Sequence, residues 1–158
     1  MGCRHCAQDW FDFRPGNIFL LLGAALEDAG IAYVHLEKLG GLRHGTGPSP
    51  NTGWRNPRFR AYADYMQTDE FDRGLARLEE LAAANRTVVM CAEGLPWRCH
   101  RSLISDALMA RGWQVEEIMP DSKVRPHPMT GFALIDDGRV SYPDKREDGA
   151  GNGMDTLW

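Results

Sequence analysis

The period of apolar and polar positions changes several times along the chain, and the changes mark its elements. Between Thr87 and Gly112 the sequence reads TVVMCAEGLPWRCHRSLISDALMARG. Thr87-Val88-Val89-Met90 has the β-branched, apolar character of a short buried strand, and Gly94 and Pro96 then interrupt it. From Leu103 the apolar residues fall at helical spacing (Leu103, Ile104, Ala107, Leu108), and Gly112 stands where a C′ glycine belongs. The pattern predicts strand, loop, helix, with Cys91 where the strand runs out.

Upstream, Asn17 caps an apolar helix over Ile18 to Ala29 that Gly30 ends, and Ile31 to Leu36 reads as a strand. Leu39 to Pro57 is a long Gly- and Pro-rich loop, a length usually tied to function. Phe59, Tyr62 and Met66 mark a short helix. Thr68 is an N-cap with Asp69 and Glu70 in the first turn, and Phe71, Leu75, Leu78 and Ala82 form the buried stripe of the helix that follows. Trp113 to Ile118 reads as a strand and Met119 to Pro128 as a Pro-rich basic loop. Phe132–Ile135 and Arg139–Tyr142 read as a hairpin across Asp136-Asp137-Gly138. Alternating helices and strands predict an α/β fold: three layers, a mostly parallel sheet with helices on both faces, and a C-terminal β-hairpin. Residues 1–16 show no period and are expected to be an irregular N-terminal segment. The α/β domain is expected over 17–143, and the Gly-rich stretch 144–158 as a flexible tail.

Composition narrows the class. At 158 residues, 43% hydrophobic and 25% charged, the chain suits one globular domain. No apolar run reaches membrane-spanning length and no signal-peptide order opens the chain, so a cytoplasmic protein without a membrane partner is expected. Four cysteines are too few for a disulfide scaffold and read as free thiols or metal ligands. A net charge of −4 argues against nonspecific coating of nucleic acid. Three windows nevertheless lack acids and carry bases: Lys38, Arg43, Arg55, Arg58 and Arg60; Arg98, His100 and Arg101; and Lys123, Arg125 and His127. If the strands at 31–36, 87–90 and 113–118 are parallel neighbours, all three windows leave their carboxyl ends, the edge where open α/β sheets bind ligands.

The loop after the Thr87 strand holds the candidate chemistry. Helix N-terminal amides and the guanidinium groups of Arg98 and Arg101 would make an anion site and lower the pKa of a nearby thiol. Cys91 is then a nucleophile or redox thiol; the alternative is a small buried hydrophobe at a strand end. The strand-Cys-loop-Arg-helix order is also that of cysteine phosphatases, but Glu93 inside the loop would repel phosphate. Glu93 reads as a general base or as a salt-bridge partner of Arg101. Cys91, Cys99 and His100 form a second reading as ligands of a divalent metal, with Cys3, Cys6 or His127 available to complete the shell. Trp54 and Trp97 beside Arg55, Arg58 and Arg60 suit stacking and phosphate contact with a nucleotide or nucleic acid end. The alternative is solvated arginines around core tryptophans. His127, between prolines, reads as exposed loop.

CAEGLPWRCHRSLISDAL, with SPNTGWRNPRFRAYADYMQTDEF and RPHPMT, resembles the domain of unknown function 488 family of small bacterial and archaeal proteins over about Leu22 to Tyr142. The resemblance implies an α/β fold with the Cys91 loop as a hallmark. It adds Arg55, Cys99, His100 and Arg101 as positions matching the family's motifs. Family members usually open with a strand bearing Gly-His-Ser, a helix and a second strand ending in Asp-Val-Arg. MGCRHCAQDWFDFRPG stands in their place, so a truncated or divergent member is expected. The function expected from all this is an enzyme acting on a small anionic substrate, nucleotide-like or nucleic-acid-like. Cys91 and Glu93 would be catalytic, and Trp54, Arg55, Arg98, His100, Arg101 and Ser102 would hold the substrate. A non-catalytic nucleotide- or metal-binding module, with Cys99 as a ligand, is the alternative.

Overall fold

The structure, a computed structural model, describes residues 5–6, 18–45, 47–91 and 93–144. The expected irregular segment 1–16, apart from the backbone of His5 and Cys6, lies outside the described residues. So do the Asn17 cap, the side chains of Cys3 and Cys6, and the tail after Asp144. Helix α1 spans Ile18–Asp28, α2 Pro57–Tyr65, α3 Asp69–Ala84 and α4 Arg101–Ala110. No helix among the described residues is long and apolar enough to cross a membrane.

Local chemistry sets the helix ends. The Asn56 side chain accepts the Arg58 N–H at 2.9 Å, with Pro57 in the first turn of α2. The Thr68 hydroxyl accepts the Phe71 N–H at 3.3 Å above three acidic residues in the first turn of α3. Gly112, at φ 87°, closes α4 as a Schellman turn: its N–H donates to the Met109 carbonyl and that of Trp113 to the Leu108 carbonyl. Gly30 at φ 70° closes α1 in the same way.

The strands are short and pair differently from the expected three-layer parallel sheet. β1 (His5–Cys6) pairs in parallel with β2 (Val89–Met90). β3 (Glu116–Ile118) pairs antiparallel with β4 (Val124–Pro126), and β5 (Leu134–Asp136) with β6 (Arg139–Ser141). Mixed helix and strand content is therefore right and the C-terminal hairpin is present. The described residues contain two-stranded ribbons in place of a large parallel sheet. Residues 31–36 carry only a bridge at His35 before a 3-10 turn at Glu37–Leu39. The Trp113 segment turns back on itself: Ser122, at φ 64°, bends the chain, and β4 lies in what reads from sequence as loop. A local turn costs less closure entropy than the crossover that parallel pairing requires. The β5–β6 turn is made by Asp137 and Gly138, both at positive φ, the type I′ geometry that an Asp-Gly pair favours.

The core lies between α2, α3, α4 and β6, where Tyr62, Phe71, Leu75, Leu78, Leu103, Ile104, Val140 and Tyr142 are buried together. Around it runs a buried polar network. Asp106, on α4, is fully buried; its carboxylate accepts from the Tyr142 hydroxyl at 2.8 Å and the Thr130 N–H at 3.1 Å, and meets His127 Nε2 at 2.9 Å. His127 Nδ1 meets the Glu117 carboxylate at 2.8 Å, and Glu117 also accepts Arg125 Nε and Nη2 at 2.9 and 2.7 Å. The expectation of an exposed His127 is thus wrong: the β3–β4 turn folds it under, between two carboxylates. Both ring nitrogens are engaged, which also removes it as a metal ligand.

Burial alone would lower the His127 pKa, but the bonds and charges of Asp106 and Glu117 raise it above the ordinary value. The imidazolium's stabilisation is therefore complete below the ordinary histidine pKa and is lost as pH rises through the raised one. Burial alone would raise the Glu117 pKa, but bonds from His127 and Arg125 lower it, so its contribution is lost as pH falls through that depressed value. His127→Gln should destabilise the fold by about 3–5 kcal/mol, the usual cost of stranding buried charge. The melting-temperature gap between wild type and variant should narrow on the alkaline side; a gap constant with pH would show that His127 is not charged in the fold.

Candidate functional site

The strand-loop-helix stretch folds so that the end of β2 faces the start of α4. A 3-10 turn at Pro96–Arg98 returns the chain toward Cys91 and places Cys99 and His100 immediately before α4. Cys91 is half-buried and Cys99 buried, and their sulfurs lie 2.8 Å apart. This is longer than the roughly 2.0 Å of a disulfide. Either sulfur can donate to the other across this contact.

The surrounding donors favour negative charge on Cys99. Arg101 approaches its Sγ with Nε at 3.3 Å and backbone N–H at 3.5 Å, and His100 Nδ1 lies 3.6 Å away. Cys91 Sγ accepts the Glu93 N–H at 3.3 Å. The bond from Cys91 lowers the Cys99 pKa most, and His100 and the Arg101 amide add to it against the opposing effect of burial. The same bond, together with burial and the neighbouring negative charge, raises the Cys91 pKa. Burial alone would lower the Arg101 pKa, but its bond to Cys99 and the charge of the pair keep it high.

The other predicted site residues divide. Arg101 Nη2 donates to the Glu93 backbone carbonyl, so Arg101 straps the loop and steadies Cys99, where an anion clamp is expected from sequence. The Glu93 side chain is exposed, and its carboxylate meets no partner among the described residues. Ser102 is buried and its hydroxyl donates to the Cys99 carbonyl at 2.9 Å, so it serves the helix start. Trp54 packs among Phe59, Phe132 and Tyr142 with ring centroids 4.8, 5.0 and 5.4 Å away, away from any stacking role at the surface. Arg55 and Arg98 are exposed. Arg60 binds the Trp54 carbonyl, and Arg43 binds loop carbonyls and stacks on Tyr65, so part of the first basic window is structural. The second and third windows do meet: the Arg125 guanidinium lies 5.4 Å from the exposed Trp97 ring.

Residues 21–108 match the family model described as Domain of unknown function DUF488. The chain belongs to this family. No curated protein and no solved structure matched it. The DUF488 match takes in both cysteines, His100 and Arg101 and stops short of Glu117, His127 and Tyr142. Gly41, within the DUF488 match, is a site residue that spacing did not reveal. A Cβ there would fall 2.4 Å from His100 Nδ1, so only glycine lets the loop back against the imidazole. The tight packing of Gly41 is invisible in a loop with many other glycines.

Two outcomes follow from this geometry. Gly41→Ala should displace the His100 ring and destabilise the fold by about 1–3 kcal/mol, the usual cost of overpacking, measured by denaturant unfolding. Arg101→Ala should raise the pH at which thiolate ultraviolet absorbance appears by roughly one to three units, the effect of losing an adjacent opposite charge. An unshifted titration would remove Arg101 from the site.

Proposed function

We propose that the DUF488 loop is the reaction centre of a cysteine enzyme acting on a small anionic substrate. The observation that carries this reading is the 2.8 Å contact between Cys91 and a Cys99 sulfur held by Arg101. Cys91 is the more exposed of the two and is the nucleophile. Cys99 is the base: as the Cys91 sulfur bonds to the electrophilic atom and the leaving group departs, the Cys91 proton passes to Cys99. The base role expected of Glu93 falls to Cys99, because the Glu93 backbone, and not its carboxylate, faces the sulfurs. Arg98, exposed on the same loop and without a structural bond among the described residues, supplies attraction for an anionic group. A nucleotide is the fitting substrate class, with Trp97 and its stacked Arg125 as the neighbouring aromatic face.

The test is the alkylation rate of Cys91 against pH, followed by peptide mass spectrometry. A shared proton makes the pair titrate as a unit, so the wild-type rate should be flat across neutral pH. Cys99→Ser should restore a titration near the ordinary thiol value of about 8.5. Iodoacetate should outpace iodoacetamide relative to their ratio on free cysteine, and Arg98→Ala should abolish that preference. An ordinary wild-type titration would sink the paired-thiol reading, and no preference for iodoacetate would sink the anionic substrate.

A further inference from the structure

We infer that Cys91, Cys99 and His100 form a three-donor site for a soft divalent ion of the zinc class. Their donor atoms all lie within 4.8 Å of one another, on a strand end and a helix start that hold them together. Two thiolates and an imidazole are a ligand set that suits zinc, and three protein ligands leave the fourth tetrahedral position open. This goes beyond the thiol reaction and does not require that Cys91 be catalytic.

The spacing of Cys99 and His100 is the one that fits a shared ion. Bonds of about 2.3 Å to sulfur and 2.0–2.1 Å to nitrogen put tetrahedral sulfur and nitrogen about 3.6 Å apart. Cys99 Sγ and His100 Nδ1 are 3.6 Å apart. The same geometry sets two sulfurs about 3.7–3.8 Å apart. The observed 2.8 Å therefore has to open by about 1 Å, which falls to the half-buried Cys91. Each sulfur also accepts the backbone N–H two residues ahead, from Glu93 at 3.3 Å and from Arg101 at 3.5 Å. Such bonds hold thiolate charge in place and orient it, whereas a disulfide has no charge to hold. The Arg101 guanidinium gives Cys99 a further outer partner.

An ion on both sulfurs withdraws Cys91 from reaction, so the loop has two exclusive states, thiol-reactive and ion-loaded. The experiment uses the full chain carrying Cys3→Ser and Cys6→Ser, so that the N-terminal thiols contribute nothing. Cobalt(II) should bind one ion per chain with the intense visible bands of a tetrahedral centre and a charge-transfer band sized for two thiolates. Zinc should displace it and shield Cys91 from iodoacetamide. Cys91→Ser should halve the charge-transfer band. His100→Gln should keep that band while weakening affinity by at least the roughly tenfold that an outer-shell loss costs. An octahedral cobalt spectrum, or labelling of Cys91 unaffected by zinc, would overturn the site. Because metal content and spectrum are read without any substrate, failure here leaves the alkylation profile of the proposed enzyme untouched, and the reverse holds too.

Discussion

The fully buried Asp106 carboxylate is the constraint on which the rest of the structure depends. A bare carboxylate at that depth would cost several kcal/mol. It is tolerated because three separate parts of the chain come to it: the Tyr142 hydroxyl after β6, the Thr130 amide before β5 and the His127 imidazole after β4. Satisfying one side chain on α4 thus brings residues 127–142 around the helix. Glu117 and Arg125 extend the arrangement outward by balancing the charge that His127 brings in. A second set of ties, Arg111 to Asp72 and Glu79 and the Trp113 indole to Glu79, fastens the C-terminal end of α4 to α3.

With α4 held at its middle and at its C-terminal end, its first residues become a fixed platform. Cys99 and His100 are buried just ahead of it, His100 beside the Tyr62 ring at 5.1 Å and against Gly41. The loop from Cys91 is then pinned by the Arg101 bridge to the Glu93 carbonyl. The site resembles the Asp106 network in its logic: a buried negative sulfur is stable only because donors from the backbone and a guanidinium surround it. One network closes on itself and is structural, whereas the other leaves Cys91 half-open to solvent.

Much of the local structure was legible. Thr68, Gly30, Gly112 and the Asp137-Gly138 turn act through short-range hydrogen bonds and backbone sterics, so a few neighbouring residues suffice to reveal them, whereas Asn56 with Pro57, read as the end of a loop, caps α2. The Cys91 to Arg101 loop was legible for the same reason, since its chemistry-bearing residues are close in sequence. The sheet was not. Val88, Val89 and Ile31 to Leu36 have strand character, but pairing depends on which backbone comes alongside, and that is not written in period or propensity.

The sequence by itself determined where α3 starts and where α1 and α4 stop, which residues make the core stripe, and that a thiol, an imidazole and guanidinium groups share one loop. Only the tertiary structure decided their roles. It sent Trp54 and Ser102 to structural work, left the Glu93 carboxylate in solvent, and put His127 between two acids. It also brought Cys99 against Cys91, so that the thiol eight residues on became the charged partner. The physical reason is that a side chain's charge state and reach are set by what burial and long-range packing place beside it. Those neighbours lie 8 to 91 residues away along the chain in the contacts that matter most here, from Cys91 with Cys99 to Tyr142 with Asn51.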